Sequence, residues 1–480
     1  MKQQLQRIMV KGGILSPSEL KQIVEIVEKI GFKTISLGSR QDIIFPYLEK
    51  NEEVFAQFPK LNFDLVKTTS FQNIVSSYVS ATIFKTTAWI NSATYLYILE
   101  QFRFLPKLKI NITDPKQCLV PLFNGELNFI ASEQPDYWYL YIKIPGYTKD
   151  DYYPTLVYSY DLAAVAEEID REYLNANNIE DLFAIISSKI ETNNTVIKHP
   201  LTIRDYRFPF YEGMNKRPDD TYWLGLYWRK NNYYTDFLKA ICDLCTDCEI
   251  GKISITPWKS IIIKDIPKKY KLVWEKLLGQ FGINIRHSSL ELNWHIPVDN
   301  EEALELKRYI VNYFDQNDIS TFGLTFGLNF DSSRAKNYFT SVMIEKNEAA
   351  EIQKGYSSIA TYNVLYAKQF NPHTQEYLYF AKDVDKMSLP ILLMELSKMH
   401  FEQMGSVEIP NASAKTNEIL EVESFICGEC GSVYDEQFGD EDAQIVAGTK
   451  FENLPESYSC PTCEASKSSF KKANLVNVNY

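Results

Sequence analysis

The run Phe425-Ile426-Cys427-Gly428-Glu429-Cys430-Gly431-Ser432-Val433-Tyr434-Asp435, with the later Cys460-Pro461-Thr462-Cys463-Glu464, decides how the end of this chain folds. Each stretch holds a cysteine pair with two residues between its members, and 29 residues separate the pairs. Four soft thiolates at that spacing can close a tetrahedron around one metal ion, iron or zinc. The metal then holds together a segment too short to build a large core of its own. Gly431 follows the first pair where the chain must turn under the metal, and Pro461 stiffens the second turn. Tyr434, Phe451, Tyr458 and Phe470 are spaced to cover the site with a small aromatic core.

The order Cys-x-x-Cys-Gly-x-x-Tyr-Asp, then Gly448-Thr449-Lys450-Phe451, Leu454-Pro455, Cys-Pro-x-Cys, Lys467 and Phe470 resembles rubredoxin along its whole length. The resemblance implies one iron held by Cys427, Cys430, Cys460 and Cys463, cycling between ferrous and ferric as a one-electron carrier. Tyr458 stands where that family usually has tryptophan. Glu464 stands where glycine is usual, in a turn that favours a residue free to take φ > 0. Spacing alone favours zinc, and it is the aromatic and Gly448-Thr449-Lys450-Phe451 context that tilts the reading to iron, so a zinc ribbon serving as an interaction module is the alternative.

The composition bounds the rest. A chain of 480 residues, 45% hydrophobic and 23% charged, has room for several domains and an ample core. The N-terminus lacks the apolar stretch of a signal peptide, and no apolar run approaches the ~20 residues that span a bilayer. Eight cysteines in so long a chain suit a reducing compartment with metal ligation, so a cytoplasmic protein is expected. The formal charge is −12, and residues 421–480 hold eleven acidic against four basic side chains. This balance argues against nucleic acid as a partner. An acidic carrier domain is expected to dock a redox partner protein, donor reductase or acceptor, through a basic patch on that partner; the alternative is that the tail's charge serves solubility alone.

The rest of the chain carries a repeat. Ser16-Pro17-Ser18-Glu19 reads as a capping box with proline at the first helical position. Leu20, Ile23, Val24, Val27 and Ile30 follow at helical spacing, and Gly31 stops the helix. A strand Thr34–Leu37, a turn Gly38–Gln41 and a strand Ile43–Tyr47 complete the unit. The unit returns 218 residues later, with Leu20, Ile23, Ile35, Ser36, Ile43 and Ile44 recurring as Leu238, Ile241, Ile253, Ser254, Ile261 and Ile262. A weaker echo links a strand Leu105–Asp114 with Phe322–Asp331. Two related halves packed by pseudo-symmetry are therefore expected within residues 1–403. The repeat places Cys242, Cys245 and Cys248 on the apolar positions of Val24, Val27 and Ile30, so they read as core cysteines rather than cluster ligands.

Val10-Lys11-Gly12-Gly13-Ile14-Leu15-Ser16, Ser39-Arg40-Gln41, Leu105-Pro106-Lys107-Leu108-Lys109 and Thr256-Pro257-Trp258-Lys259 resemble the nitrite and sulfite reductase haemoprotein family, over most of residues 8–345. The resemblance implies that Arg40, Lys107 and Lys109, with Lys11, bind sirohaem carboxylates or an oxyanion. Lys107 and Lys109 share one strand face and could join Arg40 in a cationic pocket; the alternative is that they form an ordinary solvated face. That family also carries a four-iron cluster on cysteine pairs of its second half, yet residues 249–426 contain no cysteine. The corresponding stretches are Arg286-His287-Ser288-Ser289 and Asn329–Arg334. Without those thiolates the coupled centre does not assemble. A bare tetrapyrrole would have His287 or His295 as axial ligand; the alternative is that both are ordinary surface or core residues.

The expected fold is α+β. Two pseudo-symmetric ferredoxin-like halves with mixed sheets and packed helices occupy 1–200 and 201–403, the second including a helical extension. A linker follows at 404–422, and then a small C-terminal rubredoxin-like metal domain at 423–475. The expected function is one-electron transfer through a mononuclear tetrathiolate iron, tethered to a scaffold that docks a partner or ligand, with no residue assigned to catalysis. The alternative is a sirohaem- or haem-dependent reductase of nitrite or sulfite.

Overall fold

The computed structural model describes residues 4–473 apart from 59, 67–70, 284–289, 332–337, 348–359, 406–423, 437–438, 441–442, 444 and 447. The chain divides into a large unit, residues 1–217 with 221–405, and a small C-terminal unit from 406 onward.

Local sequence fixes the first helix, Pro17–Ile30. The Ser16 hydroxyl accepts the Glu19 N–H at 3.2 Å, and the Glu19 carboxylate accepts the Ser16 N–H at 2.8 Å. Gly31, at φ 107°, closes the other end in a conformation other residues resist. The helix buries Leu20, Ile23, Val24, Val27 and Ile30. They cover a sheet ordered Tyr233–Tyr234, Thr34–Leu37, Ile43–Pro46, Leu5–Ile8, Phe63–Leu65. The second half repeats this arrangement, with helix Thr235–Asp247 and a sheet ordered Ile14–Leu15, Ile253–Ile255, Ser260–Pro267, Thr221–Tyr227, Gly213–Lys216. Both helices contribute to one continuous apolar core.

The two sheets exchange strands. Leu15 pairs with Ile253 in the second half, and Tyr233 pairs with Ile35 in the first. A shift of 218 residues converts one pairing into the other. Ion pairs also join the two helices, Lys21 to Asp243 at 2.5 Å and the equivalent Lys239 to Glu28, one turn beyond the exact equivalent Glu25, at 2.8 Å. The Lys11–Gly13 turn before the first exchanged strand needs its glycines. Gly12 sits at φ 65°, and a Cβ there would lie 2.4 Å from Leu99 Cδ1; Gly13, at φ 71°, would meet the Ile255 carbonyl oxygen at 2.8 Å.

A second pair of sheets carries the weaker echo. In the first, Val75–Ser76, Ile110–Thr113 and Leu127–Ala131 run parallel, and Tyr137–Ile142 and Thr155–Tyr158 follow antiparallel. In the other, Trp294–His295, Phe326–Asn329 and Val342–Lys346 run parallel, and Tyr362–Ala367 and Tyr377–Val384 follow antiparallel. Helices Ser92–Gln101 and Glu301–Gln316 occupy matching places between the first two strands of each. The mixed-sheet, pseudo-symmetric architecture is thus present at two levels.

Some elements differ from the sequence reading. The strand placed at Leu105–Asp114 contracts to Ile110–Thr113. Pro106 has no N–H to give a ladder, and the Asp170 carboxylate takes the N–H groups of Lys107 and Leu108 at 2.9 and 2.8 Å. Residues 350–403 carry two strands of a sheet as well as the helix Leu389–Gly405. That helix runs two residues into the segment read as linker; positions 406–422 lie outside the described residues.

The small unit is a three-stranded antiparallel sheet ordered Val433–Asp435, Ser424–Cys427, Phe470–Ala473. Tyr434, Phe451, Leu454, Tyr458 and Phe470 pack with Cys427 and Cys460 in its core. Phe425 stacks on Phe451 with ring centres 4.2 Å apart. The Tyr434 hydroxyl donates to the Thr449 carbonyl at 2.8 Å, and that of Tyr458 to Asp440 at 2.9 Å, so neither buried phenol loses its hydrogen bond.

Candidate metal centre

Two tight loops bring the four cysteines of the small unit together. In the first, Gly431 N–H donates to the Cys427 carbonyl at 2.9 Å and Cys427 N–H to the Ser432 carbonyl at 2.8 Å. In the second, Glu464 N–H donates to the Cys460 carbonyl and Cys460 N–H to the Ala465 carbonyl, both at 2.8 Å. The loops are copies of one another, so Glu464 must adopt what Gly431 adopts. Gly431 sits at φ 77° and Glu464 at φ 61°. The turn therefore forms with a non-glycine residue, which carries the strain that the sequence implied.

The four Sγ atoms lie within 4.8 Å of one another, with Cys427–Cys463 at 3.6 Å and Cys430–Cys460 at 3.5 Å. A tetrahedral ion with metal–sulfur bonds of about 2.3 Å has sulfur–sulfur edges of about 3.8 Å. The donor set fits one such ion in number, chemistry and spacing. The distances exceed the ~2.05 Å of a disulfide. Among the described residues these four cysteines are the group placed to hold a metal. Cys427 and Cys460 are buried, whereas Cys430 and Cys463 are exposed. The backbone N–H groups of Ser432 and Ala465 point at the exposed sulfurs of Cys430 and Cys463. The Ser432 hydroxyl, with that N–H, holds the Cys430 thiol below its ordinary range, at about 6.

Cys242 and Cys245 on the helix and Cys248 at its C-terminal cap are buried in the large unit's core together with Val24, Val27 and Ile30. Burial pushes the Cys242 thiol up to about 12, the environment of an inert core cysteine.

In the large unit, Arg40 and Lys109 both have Glu126 as a charged neighbour. Arg40 donates to Asn111 Oδ1 at 2.6 Å and to the carbonyls of Asn73 and Ile110 at 2.7 and 2.8 Å. Burial lowers its pKa to about 10. Lys109 pairs with Glu126 at 2.9 Å. Lys107 is exposed. Lys11 donates to the Phe102 carbonyl at 2.5 Å and, with Asn73 and Arg103, lines a cleft of about 140 Å³. Lys259 is buried and donates to the Ile296 carbonyl. Burial, reinforced by Lys307, lowers its pKa to about 7. His295 packs edge-on against Phe339 with ring centres 4.5 Å apart, and burial lowers its pKa to about 3. His287 lies outside the described residues. Trp258 is fully buried in an aromatic cluster with Tyr206, Phe208, Tyr211 and Trp223, its indole N–H donating to the Leu119 carbonyl at 2.7 Å.

Sequence reasoning missed Ser432 and Thr462. Ser432 Oγ lies 3.2 Å from Cys430 Sγ and 2.8 Å from Thr462 Oγ1, so the two hydroxyls join the loops. The signal in the sequence was slight, a hydroxyl residue in or just after each cysteine pair.

Fold and site define a small tetrathiolate metal-binding module carried behind a duplicated mixed-sheet scaffold. Residues 424–470 match the family described as rubredoxin. They are similar to Rubredoxin-2 of Chlorobaculum tepidum, 45% identical over 51 residues that cover 98% of that protein and 11% of this chain. Similarity to the rubredoxin of Megasphaera elsdenii is 47% over 51 residues, covering 96% of that protein and 11% of this chain. Through this segment the chain belongs to the rubredoxin family. Residues 3–54 match the family described as nitrite/sulfite reductase ferredoxin-like half domain. Over most of the chain the fold is similar to that of the Mycobacterium tuberculosis NirA protein. The match has a TM-score of 0.60 at 15% identity and covers 82% of this chain and 80% of that one. No helix among the described residues is long and apolar enough to cross a membrane.

Proposed function

We propose that the small unit is a one-electron carrier and that the large unit is the body that docks its redox partner. The observation that carries this reading is a four-thiolate set with two sulfurs exposed, Cys430 and Cys463, inside a rubredoxin fold. Bound iron supplies one-electron chemistry there. The chain's own part is to hold four sulfurs in place, aim backbone N–H groups at them, and keep two within reach of a partner. Exposed Glu429 beside Cys430 and the acid-rich tail favour a basic partner surface.

The oxyanion-reductase alternative has less support. Arg40 and Lys109 spend their charge on partners inside the protein, and an aromatic cluster built around Trp258 fills space in the large unit. Residues 249–426 offer no thiolate for a second cluster. The test is metal analysis and an absorption spectrum of protein produced with ample iron and a tetrapyrrole supply, followed by reductive titration. One iron per chain, and colour that bleaches with one electron and returns in air, is the expected outcome. A colourless protein holding one zinc under these conditions overturns the carrier, and added tetrapyrrole bands restore the enzyme.

A further inference from the structure

The two metal-binding loops are copies in backbone but not in side chain. Position by position, Cys430 corresponds to Cys463, Gly431 to Glu464, and Ser432 to Ala465. Both exposed sulfurs receive a backbone N–H from the residue two positions on. Cys430 also has the Ser432 hydroxyl at 3.2 Å, whereas the matching residue beside Cys463 is alanine. Thr462, at the tip of the opposite loop, holds the serine in place at 2.8 Å.

We infer that Ser432 and Thr462 are positioning residues for electron transfer: Thr462 anchors Ser432, whose hydroxyl donates to the exposed Cys430 sulfur and raises the reduction potential of the centre. The inference rests on the carrier reading. A metal-bound thiolate has no proton to give, so in the loaded site the bond runs from the Ser432 O–H to sulfur. The Ser432 oxygen is then open to the Thr462 O–H. An acceptor sulfur carries more negative charge in the ferrous state than in the ferric, because the electron enters a site of fixed ligands. A hydrogen-bond donor therefore stabilises the reduced form more, and the potential rises. The bond lies at an exposed sulfur, where a docking partner would exclude water and strengthen it.

The test uses the full chain loaded with iron, its potential measured by equilibrium titration against dyes and its loading by the visible bands. Ser432→Ala is expected to lower the potential, Thr462→Val to lower it less, and Ser432→Thr to restore it. All three keep the iron and the thermal midpoint of the small unit. An unchanged potential in an iron-loaded Ser432→Ala protein overturns the inference and leaves the carrier standing. A protein that never takes up redox-active iron overturns the carrier instead. The hydroxyl contact is then read by cadmium NMR on cadmium-substituted protein. The cadmium resonance moves on Ser432→Ala if the contact exists, and an unmoved resonance overturns it. A variant that loses metal altogether counts against a positioning role and for a structural one.

Discussion

Glu464 holds a backbone angle that costs an ordinary residue about 1 kcal/mol, because Cβ crowds the following carbonyl. Replacing it with either glycine or alanine removes the same carboxylate, so their difference isolates the backbone cost. Glu464→Gly is expected to exceed Glu464→Ala in stability by about 1 kcal/mol, read from the denaturant midpoint at which the metal bands vanish. His373 sets a different test. It is buried against Tyr206, ring centres 5.1 Å apart, and burial lowers its pKa from 6.5 to about 3. Below pH 6.5 the unfolded chain takes up a proton that the native ring refuses, so acid works against folding until the folded value is reached. The stability it contributes is fully present above 6.5 and falls by about 1.4 kcal/mol per pH unit below it. The variant His373→Phe is expected to lose less stability than the parent between about pH 6 and pH 4.5, with His295 still contributing a slope. Residues differ in how far sequence exposes them. The four cysteines announce themselves by spacing. Ser432 and Thr462 do not, because a hydroxyl beside a cysteine has no period and takes its meaning from the loop opposite.

The elements that could be read in advance are those whose ends and faces are written locally. The helix Pro17–Ile30 has its capping box, its proline, its apolar stripe and its terminal glycine in one continuous stretch. Ser16→Ala is expected to cost about 1 kcal/mol, measured by thermal unfolding of the large unit. Its packing against Thr235–Asp247 should depend on the stripe rather than on the flanking charges. Ile23→Ala, at a 1% exposed position, is expected to cost 2–5 kcal/mol on the usual scale of such truncations, roughly. Lys21→Ala, which breaks the 2.5 Å pair with Asp243 on a surface open to water, is expected to leave the stability of the large unit nearly unchanged. The repeat also identified Cys242, Cys245 and Cys248 as core residues. Periodicity failed where tertiary partners decide. The strand Tyr377–Val384 runs mostly half-exposed or exposed, without alternation, and two-residue strands such as Ile14–Leu15 have no pattern to recognise.

At the scale of the whole molecule, among the described residues the large unit has several substantial cores and the small one has one core of seven buried residues. A domain with so little apolar burial depends on its metal. Removing the metal by mild acid and chelator is expected to abolish the small unit's cooperative transition, while the thermal midpoint of the large unit stays put; calorimetry of loaded and stripped protein checks this. On the proposed carrier reading, the excess of seven acidic side chains over residues 421–480 is expected to make the rate of electron exchange with a basic partner fall as salt is added. Stopped-flow mixing over a range of ionic strength measures that fall, and a salt-independent rate would remove charge from the docking argument.

The strand exchange also bears on how the chain is made. Ribosomes deliver residues in order, at about 5–20 per second. The sheet of the first half waits for Tyr233–Tyr234 to seal its edge beside Thr34–Leu37. Some two hundred residues are synthesised while that edge stays open. In return, the first half has already made Ile14–Leu15, the strand that borders the second sheet. Each half is born lacking a piece that the other supplies, so neither is a finished object, and the nascent chain is most exposed to wrong strand partners before residue 234 emerges.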